Sequence, residues 1–181
     1  MVITDPVIID TNIFIDLLNG VPDARRVLDT HIDIALAAIT YAEVASGCTP
    51  AESGMFEAFL AAGKSAGTVQ MIHTDDAIIK LAANFNKNPK TGRGYGKKQL
   101  ADSIIGATAV MSGRTLLTRN APDFKGAVVK TPYQGQLVDT PQADGTVKKV
   151  WVPKVSAPAP VAATTTVLPV TPAPAAPAKL A

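Results

Sequence analysis

The sequence predicts an α/β fold with three layers, in which helices cover both faces of a central parallel sheet. Short apolar runs rich in β-branched residues, such as 7–9 and 69–72, alternate with longer segments whose apolar residues recur every three or four positions. Strands that alternate with helices favour a parallel sheet covered on both faces. A chain of 181 residues, 47% of them hydrophobic, supports one core. We therefore expect one domain over residues 1–132, followed by an extension over 133–181.

In the first half of the chain, a strand at 7–9 leads into a helix in which Ile13 and Leu17 lie at helical spacing. The patterns then predict a helix at 25–30, a strand at 32–36, and helices at 38–46 and 52–62.

In the second half, the clearest pattern is a helix at 99–112, whose apolar residues are three or four positions apart and which is followed by Gly113. The other predicted elements are a strand at 69–72, a helix at 75–85, a loop at 86–98, a strand at 115–118, a short helical turn at 122–124 and a strand at 127–129.

The extension differs in composition from the domain before it. Residues 135–152 are polar, and Asp144-Gly145 is compatible with one hairpin turn. From Pro153 onward, the sequence is rich in Pro, Ala, Thr and Val and has no periodicity that would bury it. We expect the extension to be largely disordered, as a linker or terminus without a specific task.

Three acidic residues stand alone in apolar surroundings. Glu43 is the only charged residue between 34 and 51, Asp102 is the only one between 99 and 113, and Asp10 directly follows the first strand. A buried carboxylate without a partner is unfavourable, so such positions normally have a cation, a metal or several hydrogen-bond donors nearby. In an open parallel sheet, ligands bind beyond the C-terminal ends of the strands, and these three acids are predicted to lie near that edge.

A fourth acid is expected to complete this pocket. Asp123 follows the strand at 115–118, with Asn120 as an alternative, and the small residues Gly106 and Ala109 leave room beside Asp102. Clustered carboxylates in a chain with only two histidines suit Mg²⁺ or Mn²⁺ rather than zinc. Such ions activate water and stabilise the leaving oxygen at phosphorus, so the expected chemistry is phosphodiester hydrolysis.

Each acid also has a purely structural explanation. Asp10 and Asp123 are at positions where they would cap helices, and Asp102 is in a first helical turn, where the helix dipole favours an acid. Glu43 would then be a solvated residue on a helix surface. The conjunction of all four at site-forming positions favours the functional explanation.

Four segments carry a resemblance to a known family. Residues 7–13, 39–44, 100–109 and 117–124 read VIIDTNI, ITYAEV, LADSIIGATA and LTRNAPDF. In order and spacing they resemble the four motifs of the PIN-domain family, and in particular VapC-like toxin ribonucleases of type II toxin–antitoxin systems. The resemblance covers roughly residues 5–130; the extension lies outside it.

The resemblance implies an endoribonuclease that cleaves single-stranded RNA with Mg²⁺ or Mn²⁺, forms a homodimer and is neutralised by a cognate antitoxin. It implies catalytic, metal-binding roles for Asp10, Glu43 and Asp102. Some relatives have an acid at the position of Asn120 and others at that of Asp123, so the fourth ligand stays open between the two. The side chains expected to support the site are those of Thr11, Asn12, Thr118 and Asn120.

A basic segment precedes the helix at 99–112. Its five cations, expected to grip the RNA backbone, surround three glycines and Tyr95; they are Lys87, Lys90, Arg93, Lys97 and Lys98. The alternative is a solvated loop. No Gly-Lys-Ser or Gly-Lys-Thr sequence follows the glycines, so they do not form a P-loop. We expect His31, His73 and Cys48 to be packing or surface residues.

The net charge of +2 does not itself predict a nucleic-acid partner. Four of the 17 Lys and Arg and two of the 15 Asp and Glu lie beyond residue 130, which leaves the domain neutral. The single cysteine excludes an internal disulfide framework and fits a reducing, cytoplasmic location. We find neither the pattern of a signal peptide nor an apolar run that would span a membrane, so no membrane association is expected.

Two other functions are also compatible with the sequence. A non-catalytic, magnesium-binding receiver-like signalling module also gathers acids at a sheet edge, and Asp75-Asp76 after the strand at 69–72 would supply them. That interpretation leaves Glu43 and Asp102 unexplained. The second rival is a PIN-domain protein of RNA processing or RNA binding that is not a toxin.

Overall fold

A five-stranded parallel sheet forms the centre of the computed structural model, which describes residues 2–88, 90–94, 96, 99–141 and 145–153. Its strands are Val7–Ile9 (β1), Ile34–Ala37 (β2), Val69–Ile72 (β3), Thr115–Leu117 (β4) and Val129–Lys130 (β5). They lie in the order β3-β2-β1-β4-β5. Along the chain, β2 and β3 extend the sheet on one side of β1, and β4 and β5 then extend it on the other side. Ligands in such sheets bind where the order reverses, here between β1 and β4.

Six helices cover the sheet: Thr11–Leu18 (α1), Pro22–Thr30 (α2), Ala38–Gly47 (α3), Pro50–Ser65 (α4), Asp76–Phe85 (α5) and Leu100–Ser112 (α6). A short 3-10 turn, Ala121–Asp123, follows β4. None of the described helices is both long and apolar enough to cross a lipid bilayer.

The predicted α/β fold is confirmed, and the differences are at element ends. Helix α4 begins two residues earlier than predicted, because Thr49 and Glu52 form a capping box around Pro50. Strand β5 begins two residues later than predicted. Helix α6 ends, as predicted, at Gly113, which has the left-handed conformation that glycine adopts without strain (φ +66°).

Apolar side chains fill the space on both faces of the sheet. Alternate residues of β1 point to opposite faces, so Ile9 belongs to a cluster with Phe14 and Phe56, whereas Ile8 packs in another cluster with Ile105 of α6. The rings of Phe14 and Phe56 pack edge to face, with centroids 5.3 Å apart. The sheet thereby becomes a rigid platform from which the polar residues at its C-terminal edge project.

A buried polar network joins three distant segments beside this edge. Asp16 of α1 is 2% exposed, and its Oδ2 atom accepts a hydrogen bond of 2.8 Å from the Tyr133 hydroxyl. Arg119, after β4, places Nε 2.7 Å from the same oxygen. Burial raises the pKa of Asp16, and burial together with the Asp16 charge raises the pKa of Tyr133. The network closes the C-terminal end of the domain onto α1.

The domain boundary predicted after residue 132 stays a prediction, although residues that follow it adopt regular structure. Tyr133 packs in the apolar core, and residues Gly135–Pro141 (β6) and Val147–Pro153 (β7) form an antiparallel hairpin. The sequence Asp144-Gly145, which is compatible with a hairpin turn, lies between these two strands. Asp144 itself lies outside the described residues. The prediction for residues 154–181 also lies outside them.

The buried Asp16–Tyr133 hydrogen bond yields a stability prediction. Tyr133→Phe should lower the free energy of unfolding by about 1.5–3 kcal/mol, because it removes a hydroxyl that donates to a buried carboxylate and leaves that carboxylate with Arg119 alone. Tyr41→Phe is the matched control, since its hydroxyl also donates to a carboxylate, that of Glu57 at 2.7 Å, but at an exposed site. Urea unfolding of both variants would test this. An equal loss in both would contradict the structural role of the Tyr133 bond.

Candidate active site

Asp10 lies at the C-terminal end of β1, where it is 4% exposed. Its Oδ1 atom accepts a 2.7 Å hydrogen bond from the backbone N–H of Thr11, so it does cap α1. Its Oδ2 atom accepts hydrogen bonds from the Asn12 amide and, at 2.6 Å, from the Thr118 hydroxyl. Burial raises the pKa of Asp10 to about 6 despite these donors. Capping therefore explains one oxygen of Asp10 but not its burial.

Glu43 faces Asp10 from α3. The Thr11 hydroxyl donates a 2.6 Å hydrogen bond to Glu43 Oε2, so one residue of α1 contacts both acids through its backbone and its side chain. The negative charge of Glu43 contributes to the raised pKa of Asp10. Glu43 is half-buried, which contradicts the alternative of a solvated surface residue.

Asp102 and Asp123 form the other side of the site. Burial raises the pKa of Asp102 first, and the charges of Asp123 and Glu43 raise it further. The side-chain amide of Asn120 donates a hydrogen bond to Asp123 Oδ2. Asn120 and Asp123, the two alternatives for the fourth position, are therefore hydrogen-bonded to each other. Asp123 is the acid beside Asp102, and the Asn120 amide orients it.

The four predicted acids lie at the predicted edge, each within range of the charge of at least one other. The charge of Asp102 acts on Asp10, that of Glu43 acts on both Asp10 and Asp102, and that of Asp123 acts on Asp102. The acids come from the end of β1, from α3, from α6 and from the turn after β4. Their mutual repulsion concentrates negative potential at the point where the strand order reverses.

Two polar side chains, Asn12 and Thr118, tie these segments together. The fully buried Thr118 hydroxyl donates to Asp10 and accepts hydrogen bonds of 2.9 Å from Asn12 Nδ2 and from the backbone N–H of Asn120. Asn12 Oδ1 accepts a 3.2 Å hydrogen bond from the backbone N–H of Arg119. The predicted supporting residues therefore link β1 and α1 to the segment after β4.

The donor set suits a hard divalent cation, because every candidate ligand offers oxygen. Within the described part of the chain, no three His, Cys, Asp or Glu side chains are close enough together to enclose an ion by themselves. Magnesium does not need such a cage, since it usually binds one or two carboxylates and keeps several waters or substrate oxygens. The site is therefore compatible with an ion that is only partly ligated by protein.

A cleft of about 160 Å³ opens beside Asp102 and Asp123. Its other lining residues are Phe85, Gln99, Ser103, Gly106, Pro122 and Lys125, of which the sequence had indicated only Gly106, as a small residue beside Asp102. The helical spacing of positions 99, 102, 103 and 106, which places them on one face of α6, is the signal that would have found half of them. A larger cavity of about 420 Å³, between α2 and the β4–β5 part of the sheet, is lined by none of the four acids.

The basic segment connects α5 to α6. Lys87, Lys90 and Arg93 are exposed, and the backbone N–H of Asn88 donates a 2.8 Å hydrogen bond to the Arg93 carbonyl, which closes the loop on itself. Lys97 and Lys98, with Tyr95, lie outside the described residues. The three described cations are therefore accessible from solvent.

Local contacts explain His31, Cys48 and Asp75, which are not part of the proposed site. His31 Nδ1 lies 2.7 Å from the Val27 carbonyl, and burial raises the pKa of the Cys48 thiol, which disfavours the reactive thiolate. Asp75 caps α5 through a 2.8 Å bond from the backbone N–H of Ile78. Because β3 is an edge strand, Asp75 lies away from the strand-order reversal, which argues against the receiver-like interpretation.

Comparisons with known proteins agree with this geometry. The family model described as the PIN domain matches residues 7–126. A chain of a toxin–antitoxin complex from Klebsiella pneumoniae is 30% identical, with a TM-score of 0.55, and the match covers 71% of this chain and 98% of that chain. A comparison with curated protein sequences finds no match.

Two more distant structures share the fold. A chain of FitAcB from Neisseria gonorrhoeae is 24% identical, with a TM-score of 0.54 and coverage of 70% of this chain and 97% of that chain. A chain of VapBC2 from Rickettsia felis, bound to a DNA fragment from its promoter, is 16% identical, with a TM-score of 0.52 and coverage of 68% and 96%.

The family match spans well over half of the chain and contains all four acids. On these grounds, the chain belongs to the PIN-domain family.

Proposed function

We propose that the protein is a divalent-metal-dependent endoribonuclease and the toxin of a toxin–antitoxin pair. The observation that carries the proposal is the convergence of four carboxylates from separate segments at the strand-order reversal of a PIN domain. A structural role alone does not explain why a neutral domain accumulates four mutually repelling acids at one edge.

The proposed ligands of Mg²⁺ or Mn²⁺ are Asp10, Glu43, Asp102 and Asp123, together with water. Such an ion, when bound, lowers the pKa of an attacking water and stabilises charge on the phosphate. The chain's own polar groups hold these ligands in place. Thr118 and Asn12 orient Asp10, Thr11 orients Glu43, and Asn120 orients Asp123.

The raised pKa values have a consequence for the proposed reaction. Asp10 and Asp102 bind protons more readily than ordinary carboxylates, since burial and neighbouring acids disfavour their charged forms. A divalent cation removes this cost by neutralising the cluster. Metal binding and carboxylate ionisation are therefore coupled in the proposed site.

RNA is the proposed substrate, and the exposed cations of the basic segment support this choice. Lys87, Lys90 and Arg93 would neutralise backbone phosphates of a single strand that enters beside α6. The acids alone would repel a polyanion, so the ion and these cations together make its approach favourable.

The partners are proposed from the matched structures. The Klebsiella protein's chain comes from a toxin–antitoxin complex, and by that likeness a cognate antitoxin is the expected partner here. We also propose that the protein forms a homodimer, as the family resemblance implies. A non-toxin role in RNA processing is the alternative that the growth experiment below distinguishes.

The first test is metal-dependent cleavage of single-stranded RNA. Asp10→Asn and Asp102→Asn should each reduce cleavage at least about 100-fold, since even residues that merely orient metal ligands contribute ~10–100-fold. Asp75→Asn is the matched control, because Asp75 caps α5 away from the site. The measurement is the initial rate of cleavage of a labelled RNA with Mg²⁺ or Mn²⁺ and with EDTA. Equal cleavage rates in the wild type and in all three variants would contradict the proposed metal site.

The second prediction concerns stability and pH without metal. The folded state keeps the Asp10 proton up to a pH of about 6, whereas an ordinary Asp loses it near 3.8. The protonated Asp10 stabilises the folded state fully below pH 3.8, and this stabilisation is lost as the pH rises through about 6. The loss is roughly 3 kcal/mol, because the two pKa values differ by about two pH units. Urea unfolding between pH 4 and 7.5 should therefore show a shallower decline for Asp10→Asn than for the wild type. Parallel pH profiles would contradict the raised pKa.

The third prediction separates a toxin from a housekeeping nuclease. Expression of the wild-type chain in a bacterial host should arrest growth, and expression of Asp102→Asn should not, because the variant loses a proposed metal ligand. Co-expression of the adjacent open reading frame should restore growth by supplying the antitoxin. Cleavage in vitro without growth arrest would favour the RNA-processing alternative.

A further inference from the structure

The cleft beside the acids, here called the α6 cleft, has walls from three segments. One wall is a single face of α6 with the turn before it, the second is the segment after β4, and the end wall is the last residue of α5. The lining residues are Gln99, Asp102, Ser103 and Gly106, then Pro122, Asp123 and Lys125, and finally Phe85.

The cleft adjoins one side of the proposed metal-ligand cluster. Asp102 and Asp123 line it, whereas Asp10 and Glu43 do not. A strand with its scissile phosphate at the four acids would therefore have an adjacent nucleotide at the cleft. At about 160 Å³ it is roughly half the size of the smallest typical small-molecule pockets, which start near ~300 Å³, so it suits one planar ring rather than a whole nucleotide.

The lining chemistry fits a nucleobase. Phe85 supplies an aromatic wall and Pro122 an apolar one, while Gln99 carries an amide that offers both a donor and an acceptor. Single-stranded RNA presents unstacked bases that proteins hold by stacking on aromatic rings and by hydrogen bonds to base edges. Lys125 lies at the same cleft and adds a positive charge for the attached backbone.

The aromatic wall packs closely against Gly126. A side-chain carbon at Gly126, whose φ is +79°, would lie 2.9 Å from Phe85 Cζ, so the chain there approaches the ring as closely as glycine permits. A side-chain carbon at Gly106 would lie 3.9 Å from Phe85 and 3.6 Å from Phe124, which is ordinary contact. The ring position is thus set by packing before a ligand arrives.

We propose that the α6 cleft binds one nucleobase of the single-stranded RNA, next to the phosphodiester that is cut. The proposal rests on the proposed ribonuclease function and adds to it a subsite for base recognition. Phe85 provides the stacking surface, and Gln99 reads the base edge.

The test compares two glycine-to-alanine variants of the full chain. Gly106→Ala adds a methyl group to the cleft lining at contact distances that the fold tolerates, and it favours the α6 helix. Gly54→Ala adds the same group within α4, where nothing lies within 4 Å. Both variants should fold at least as stably as the wild type, and only Gly106→Ala should narrow the subsite.

Binding is measured without metal by NMR, with millimolar adenosine, guanosine, cytidine or uridine as the probe. At least one nucleoside should shift the amide signals of Ser103 and Gly106 in the wild type and in Gly54→Ala. In Gly106→Ala its affinity should fall roughly tenfold, as expected when stacking on an aromatic side chain is lost. The absence of shifts with all four nucleosides, or equal affinity in the two variants, would overturn the proposal.

A cleavage assay distinguishes the subsite from the nuclease itself. Removing the base at one nucleotide beside the cut should slow the wild type about tenfold, and the same removal should have little effect on Gly106→Ala. Cleavage that is indifferent to every missing base would overturn the subsite and leave the nuclease proposal intact. Nucleoside binding without any RNA cleavage would overturn the nuclease proposal, and with it the subsite beside a cut phosphodiester, and would leave only a nucleobase-binding cleft.

Discussion

The burial of the Asp10 carboxylate is the constraint on which the rest of the site depends. A charge removed from water at the end of the central strand needs donors, and it finds them in the Thr11 backbone and in the Asn12 and Thr118 side chains. Because Thr118 follows β4, the same hydrogen bonds join the two strands between which the order reverses. Burial still raises the pKa of Asp10 despite these donors. The fold therefore accommodates the acids, but the hydrogen bonds do not fully compensate their negative charge.

That uncompensated charge connects the stability of the domain with its proposed function. Burial first, and repulsion between the acids second, raise the pKa values of Asp10 and Asp102, and a divalent cation would offset both effects. A neutral domain has no overall field that would attract RNA, so local cations and the proposed ion would have to provide the attraction. Charge distribution, rather than net charge, is therefore what the proposed substrate would recognise.

The shared fold and the extension are distinct parts of the chain. The matched structures are covered almost completely, up to 98% of their chains, while about 30% of this chain lies outside the matches. The hairpin of β6 and β7 lies beyond the family match, which ends at residue 126. Tyr133, immediately before the hairpin, is fastened to the domain through Asp16, so the two parts meet at a buried polar contact.

By itself, the sequence determined the order of strands and helices and the four acids, because hydrophobic periodicity and isolated carboxylates are local signals. It did not determine exact element ends, such as the start of α4, since a capping box competes with apolar periodicity there. Only the tertiary structure decided the Asp16–Arg119–Tyr133 network, the pairing of Asn120 with Asp123 and the α6 cleft. The network and the cleft join segments that are far apart in the chain, and the Asn120–Asp123 pairing depends on side-chain orientation, so neither periodicity nor spacing reports them.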